Sequence, residues 1–216
     1  MILFGVRSPL VVDYEETCHR LGIPITAAIR IEGPSRLVDS SNIVELAEFD
    51  PAGTDDRFVA CAFSPERRAA LMAQALWLGL VPAPALIDPS AVLARSVRVG
   101  DGSFVNAGVV IGAVSLIGTG VLINRSASLG HHTVLGDHVS IGPGATLAGN
   151  IQVGAGALIG AGAVVLPHLR IGPGAVVPAG TLVRRHVPEG VLVAGDPARP
   201  RPVFRAKAGP SATDDE

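Results

Sequence analysis

From Leu93 to Val183 every sixth residue is Leu, Val or Ile, sixteen matches in sixteen places, with no interruption. The residue two places earlier is small or apolar, as at Ala91, Ser103, Ala127, Ala145 and Ala163. The residue after the aliphatic is often Gly, as at Gly100, Gly130, Gly142 and Gly160, and is Asn at Asn106 and Asn124. Short strands alternate their side chains, so a six-residue unit sends one aliphatic and one small residue inward and turns a corner. Three units then close a triangular coil of eighteen residues. Because Gly and Asn tolerate left-handed backbone, the position after each aliphatic is the expected left-handed corner.

Sixteen hexads amount to a little over five coils, and at an inter-strand spacing of about 4.8 Å the resulting prism is about 25 Å tall. Each inward aliphatic contributes about 1.5 to 3 kcal/mol before backbone entropy is subtracted. Stability therefore belongs to the stack and not to any single coil.

Composition narrows the class. The chain has 216 residues, 48% of them hydrophobic, and a formal charge of −2, which leaves no electrostatic footprint for nucleic acid. Cys18 and Cys61 stand in no metal or redox spacing and read as buried thiols. No leader pattern opens the chain and no run of eighteen apolar residues occurs, so a cytoplasmic protein that does not enter the membrane is expected.

Residues 1–88 have another texture. Ile2–Val6, Ile25–Ile31 and Phe58–Phe63 read as strands; Leu10–Leu21 and a segment opened by Pro65 and running through Leu71, Met72 and Ala75 read as helices. This alternation predicts a small Rossmann-like parallel α/β sheet, followed by a parallel β-helix over 89–187 and a cap and polar tail over 188–216.

The eighteen-residue coil works as a coordinate system. His131 falls two places after an inward aliphatic, at a corner facing outward, and 131 plus 18 is Gly149, its neighbour on the next coil. Imidazole titrates near neutrality and suits proton transfer at an exposed site. His132, Asn150, His168 and His186 form a second column; His132 and His168 lie about 10 Å apart, too far for one shared ion, so no metal is expected.

The α/β segment, the Ile-Asp-Pro-Ser-Ala junction at 87–91, the hexads and the closing Ala-Gly-Asp-Pro-Ala-Arg at 194–199 together resemble the bacterial amino-sugar N-acetyltransferases and sialic acid O-acetyltransferase-like proteins. The resemblance covers nearly the whole chain. It implies a left-handed β-helix and a homotrimer that binds acetyl-CoA between neighbouring prisms and acetylates a small-molecule acceptor, an amino sugar. It implies His131 as general base and the Gly149 N–H as oxyanion donor. It implies Asn124 as a substrate contact, Ser140 as an acetyl contact, the Ala161 and Ala179 amides along the pantetheine, and Arg199 on the CoA phosphates.

Two departures stand out. The family places Glu or Asp directly after the catalytic histidine, where this chain has His132; Asp137 is the nearest acidic residue in sequence. The family's glycine-rich turn after the first strand is here Gly5-Val6-Arg7-Ser8-Pro9, and its acidic pair after the second strand is replaced by Arg30-Ile31-Glu32-Gly33. Either Arg7 holds a nucleotide-linked acceptor in a different way, or the acceptor carries no nucleotide. O-acetylation, a carbonic-anhydrase-like activity and a noncatalytic scaffold are the alternatives.

Overall fold

A computed structural model describes residues 1–53, 57–194 and 199–202. The hexad repeat becomes a stack of two-residue strands at six-residue spacing, from Leu86–Ile87 to Leu182–Val183. Each strand pairs in parallel with the strand eighteen residues on, as Val110–Ile111 does with Ser128–Leu129. Three faces result. The first runs through Leu86, Phe104, Leu122, Ser140, Leu158 and Val176, the second through Val92, Val110, Ser128, Thr146, Val164 and Leu182, and the third through Arg98, Leu116, Val134, Gln152 and Arg170. The repeating aliphatics fill the interior as one continuous core. The chain is a left-handed parallel β-helix preceded by an α/β domain.

The corners differ from the sequence expectation. Left-handed backbone occurs at the third residue after each aliphatic, at every sixth position from Gly102 to Gly180, with φ between 56° and 68°. The glycines directly after the aliphatics have no positive φ. They are glycines because the next coil lies against them: a Cβ at Gly160 would stand 2.3 Å from the Ala179 nitrogen, and one at Gly100 2.7 Å from the Gly118 carbonyl carbon. Asn106 and Asn124, placed at corners by the same reasoning, are not left-handed either; they stack as a ladder, Asn106 Nδ2 donating to Asn124 Oδ1 at 2.9 Å.

The N-terminal domain is built from β1 (Ile2–Phe4), α1 (Val11–Leu21), β2 (Ala27–Arg30), β3 (Ile43–Glu45), β4 (Arg57–Ala60), α2 (Pro65–Trp77) and β5 (Val81–Pro82). Its parallel sheet has the order β3-β2-β1-β4-β5, so the winding direction reverses between β1 and β4. Ser64 caps α2 by accepting from the Arg67 N–H, and Pro65 occupies the first turn, where no N–H is required. The β-helix begins within the region assigned to this domain, because Leu86–Ile87 already pairs with Phe104–Val105. At the other end Val191–Ala194 extends the first face and turns back on Arg199–Pro202.

The domain sits on the first face. Phe104 and Leu122 point out of the prism into a core shared with Leu3, Val11 and Tyr14, and the Tyr14 and Phe104 rings stack with centroids 4.0 Å apart. The other two faces leave Val92, Val110, Leu116 and Val134 exposed. Among the described residues no helix is long and apolar enough to cross a membrane.

Candidate active site

Two places on the molecule have the makings of a site. One is the prism edge between the second and third faces, where the strand Ser128–Leu129 turns the corner that carries His131. Its side chain is exposed and lies against Gly149 on the next coil: a Cβ at 149 would stand 2.7 Å from the ring Cε1 and 2.8 Å from Nε2. The coils are locked here by backbone hydrogen bonds from Asn150 N to the His131 carbonyl, 2.9 Å, and from His168 N to the Gly149 carbonyl, 3.1 Å. The Gly149 N–H donates to no acceptor among the described residues. Sequence register thus brings His131 and Gly149 together as the column arithmetic requires.

His132 stands where the family resemblance implies an acidic residue. Its Nδ1 lies 2.9 Å from the Nδ1 of His131, with the rings at 90°. Asp137 is remote from this pair; it sits on another edge, where Oδ1 accepts from the Thr119 N–H at 2.8 Å.

The remaining expected contacts fall elsewhere. Asn124, Ala161 and Ala179 follow strands of the first face and so line the edge between the first and second faces. The Ala161 and Ala179 amides have no acceptor among the described residues, and both residues are exposed. Asn124 Oδ1 is already occupied by Asn106 and by the Arg125 N–H, leaving its amide nitrogen for any ligand. Arg199 lies in the returning strand, and its side chain is outside the described residues.

Ser140 requires a correction. It is completely buried beneath the N-terminal domain, its hydroxyl accepting from Arg68 Nη1 at 2.9 Å and donating to the Phe63 carbonyl at 2.6 Å. Its one proton goes to the Phe63 carbonyl, so the buried hydroxyl has none to donate to an acetyl group. The residue that claims it, Arg68, was not singled out from sequence. Its guanidinium is buried and makes six hydrogen bonds, to Gly120, Ala62, Phe63, His138 and Val139 carbonyls and to Ser140. Burial lowers its pKa to about 10, which leaves it charged at neutral pH. Burial, and then the Arg68 charge, also hold His138 below the ordinary imidazole value, against Asp137.

The second place is a cleft of about 430 Å³ at the C-terminal ends of the sheet strands, lined by Gly5, Arg7, Ser8, Glu32, Phe63 and Arg67 among others. It opens where the strand order reverses, the position at which open α/β sheets bind ligands. Gly5 at φ 83° leaves no space for a side chain, since a Cβ would stand 2.7 Å from Leu71 Cδ1. Arg7 pairs with Glu32 at 3.4 Å, and Arg67 binds the same carboxylate oxygen. Arg30 turns away to Glu45 on β3. The cleft therefore presents two guanidiniums around one carboxylate. Cys61, on its wall, is inert: burial pushes its thiol well above the ordinary value.

Residues 115–149 and 150–185 match the family described as bacterial transferase hexapeptide (six repeats). Among solved structures the chain is similar to PerB from Caulobacter crescentus in complex with CoA and GDP-perosamine, with 30% identity over 93% of this chain and 96% of that one and a TM-score of 0.85. It is similar to the acetyltransferase domain of PglB from Neisseria gonorrhoeae in complex with acetyl coenzyme A, with 28% identity over 93% and 98% and a TM-score of 0.81. WeeI from Acinetobacter baumannii is similar at 25% identity over 93% and 98%, with a TM-score of 0.82. No curated protein sequence matches the chain.

Proposed function

This chain belongs to the hexapeptide-repeat amino-sugar acetyltransferases, acyltransferases that use acetyl-CoA, and we propose that it acetylates the amino group of a nucleotide-linked sugar with His131 as general base. The observation that carries this reading is the exposed His131 ring resting on Gly149. The acceptor nitrogen attacks the thioester carbon, a C–N bond forms and the C–S bond breaks. His131 Nε2 takes the proton from nitrogen and returns it to the departing thiolate sulfur. The oxyanion between these steps needs a donor without a partner, and the Gly149 N–H is one.

The site needs two chains. His131 and Gly149 lie on one edge, while Asn124 and the free Ala161 and Ala179 amides lie on another. A groove with both sets forms when unlike edges of neighbouring copies meet. Such a heterologous contact closes as a ring, and a triangular prism suits a ring of three. The acceptor belongs in the cleft beside Arg7, Glu32 and Arg67. PerB, similar over 93% of this chain, is bound to GDP-perosamine, which supports a nucleotide-linked acceptor. The reaction is assigned to the cytoplasm, where acetyl-CoA is available.

The test is thiol release from acetyl-CoA with GDP-perosamine, other nucleotide-linked amino sugars and free amines. Release is expected with a nucleotide-linked amino sugar, and His131→Ala is expected to lower it roughly 10² to 10⁴-fold with the oligomer intact. No release with any amino sugar would overturn the acceptor class, and undiminished release by His131→Ala would overturn the base.

A further inference from the structure

The edge that carries His131 has no acidic side chain. Residues 92–98, 110–116, 128–134, 146–152, 164–170 and 182–187, which form this edge and the strands beside it, include five arginines and four histidines but neither Asp nor Glu. Nothing on its own edge can supply the carboxylate that orients a histidine base.

What stands beside His131 is His132, Nδ1 to Nδ1 at 2.9 Å. Two ring nitrogens at that distance attract only if one carries a proton and the other a lone pair; two N–H groups, or two lone pairs, repel. His132 also holds left-handed backbone, φ 56°, which Gly or Asn adopts more readily. Of the six non-glycine left-handed residues among the described ones, four, Val114, His132, Asn150 and His168, fall on this edge. This conformation recurs at every sixth position from Gly102 to Gly180 and so belongs to the corner; what singles out His132 is its place beside His131.

We propose that His132 is a positioning residue that accepts a hydrogen bond from His131 Nδ1–H, fixing the tautomer that leaves a lone pair on His131 Nε2. This rests on His131 being the base. With the opposite assignment His131 carries its proton on Nε2 and is an acid instead. As Nε2 takes the acceptor's proton, the Nδ1 proton shifts toward His132 and the positive charge spreads over both rings. When Nε2 gives its proton to the thiolate, the Nδ1 proton returns and the pair is as it began. A neutral imidazole thus does the orienting that the family resemblance assigns to a carboxylate.

The test is ¹⁵N NMR of the intact oligomer with labelled histidines, in which ring shifts report which nitrogen bears hydrogen and His131→Ala identifies the signals. The native protein is expected to show His131 protonated at Nδ1. His132→Gly relieves the left-handed backbone and removes the acceptor, so His131 is expected to revert to the Nε2–H form that free imidazole prefers. His132→Asp tolerates the corner, restores an acceptor and is expected to restore Nδ1–H. An architectural His132 would leave the His131 tautomer unchanged in the Gly variant, and that result, or an Nε2–H form in the native protein, overturns the proposal. Failure of the base reading is separate: it appears as full thiol release by His131→Ala, whatever the tautomer.

Discussion

The ring of His131 rests on the backbone of Gly149, one coil further along, so closely that a Cβ at 149 would stand 2.7 Å from Cε1. Gly149 has no left-handed φ, and alanine suits its backbone. Gly149→Ala is therefore expected to fold and assemble as the native chain does while pushing the imidazole aside. A displacement of about 1 Å costs about 10²-fold in turnover. Thiol release measured beside a thermal melt separates the two effects; native turnover would remove this contact from the mechanism.

The two classes of glycine give opposite reasons for the same residue. Gly162 has φ 64° and nothing within 4 Å of its Cβ position, so Gly162→Ala costs only the backbone term, about 1 to 2 kcal/mol. Gly160 has ordinary φ, but its Cβ would stand 2.3 Å from the Ala179 nitrogen, so Gly160→Ala must separate two coils. Chemical denaturation is expected to find Gly160→Ala the more damaging of the two.

Arg68 joins the cleft wall to the prism through six hydrogen bonds. Arg68→Met retains much of the apolar stem and leaves the Ala62, Gly120 and His138 carbonyls short of a donor, each worth about 1 to 3 kcal/mol, while Phe63 keeps the Ser140 hydroxyl and Val139 the Leu122 N–H. A loss of at least about 3 kcal/mol in unfolding free energy is expected. Arg68→Lys is expected to recover only part of it, since three ammonium donors cannot reproduce the guanidinium fork. Because Ala62 and Phe63 line the cleft, the acceptor KM is expected to rise in any variant that still folds.

Asp88, in the Ile-Asp-Pro-Ser junction, is buried and ties the first coil to α1. It accepts from Thr17 Oγ1 at 3.0 Å, Ser90 Oγ at 2.6 Å and Arg20 Nη1 at 3.3 Å. Burial by itself raises its pKa, but the Ser90, Thr17 and Arg20 contacts outweigh burial and leave it below the ordinary carboxylate value. Its folded value being depressed, its contribution is complete above the unfolded value of about 4 and is lost as pH falls through the folded one. Asp88→Asn is expected to destabilise the chain by about 1 to 3 kcal/mol at neutral pH. The difference from the native chain should narrow below about pH 4, as denaturation at several pH values would reveal.

Much of the candidate site was legible because it depends on register. His131 and Gly149 meet because eighteen residues make one coil, and His132 occupies the place of the missing acid by adjacency alone. Arg68 also left a signal: with Leu71, Met72 and Ala75 it sits at helical spacing on the buried face of α2, and a charge in that stripe calls for a set of acceptors. Ser140 was misassigned because the domain that covers it lies some seventy positions earlier in the chain.

The sequence by itself determined the prism, its faces and which residues share an edge, since a strict period constrains every coil through hydrogen bonds to its neighbours. Only the tertiary structure decided which glycines serve the corner and which serve coil contact, that Arg68 takes Ser140, and that Glu32 lies between Arg7 and Arg67. Those outcomes depend on the approach of segments that the period does not relate. Sequence spacing fixes contacts inside a repeat, whereas a contact between the repeat and a separate domain is set by how their two surfaces pack.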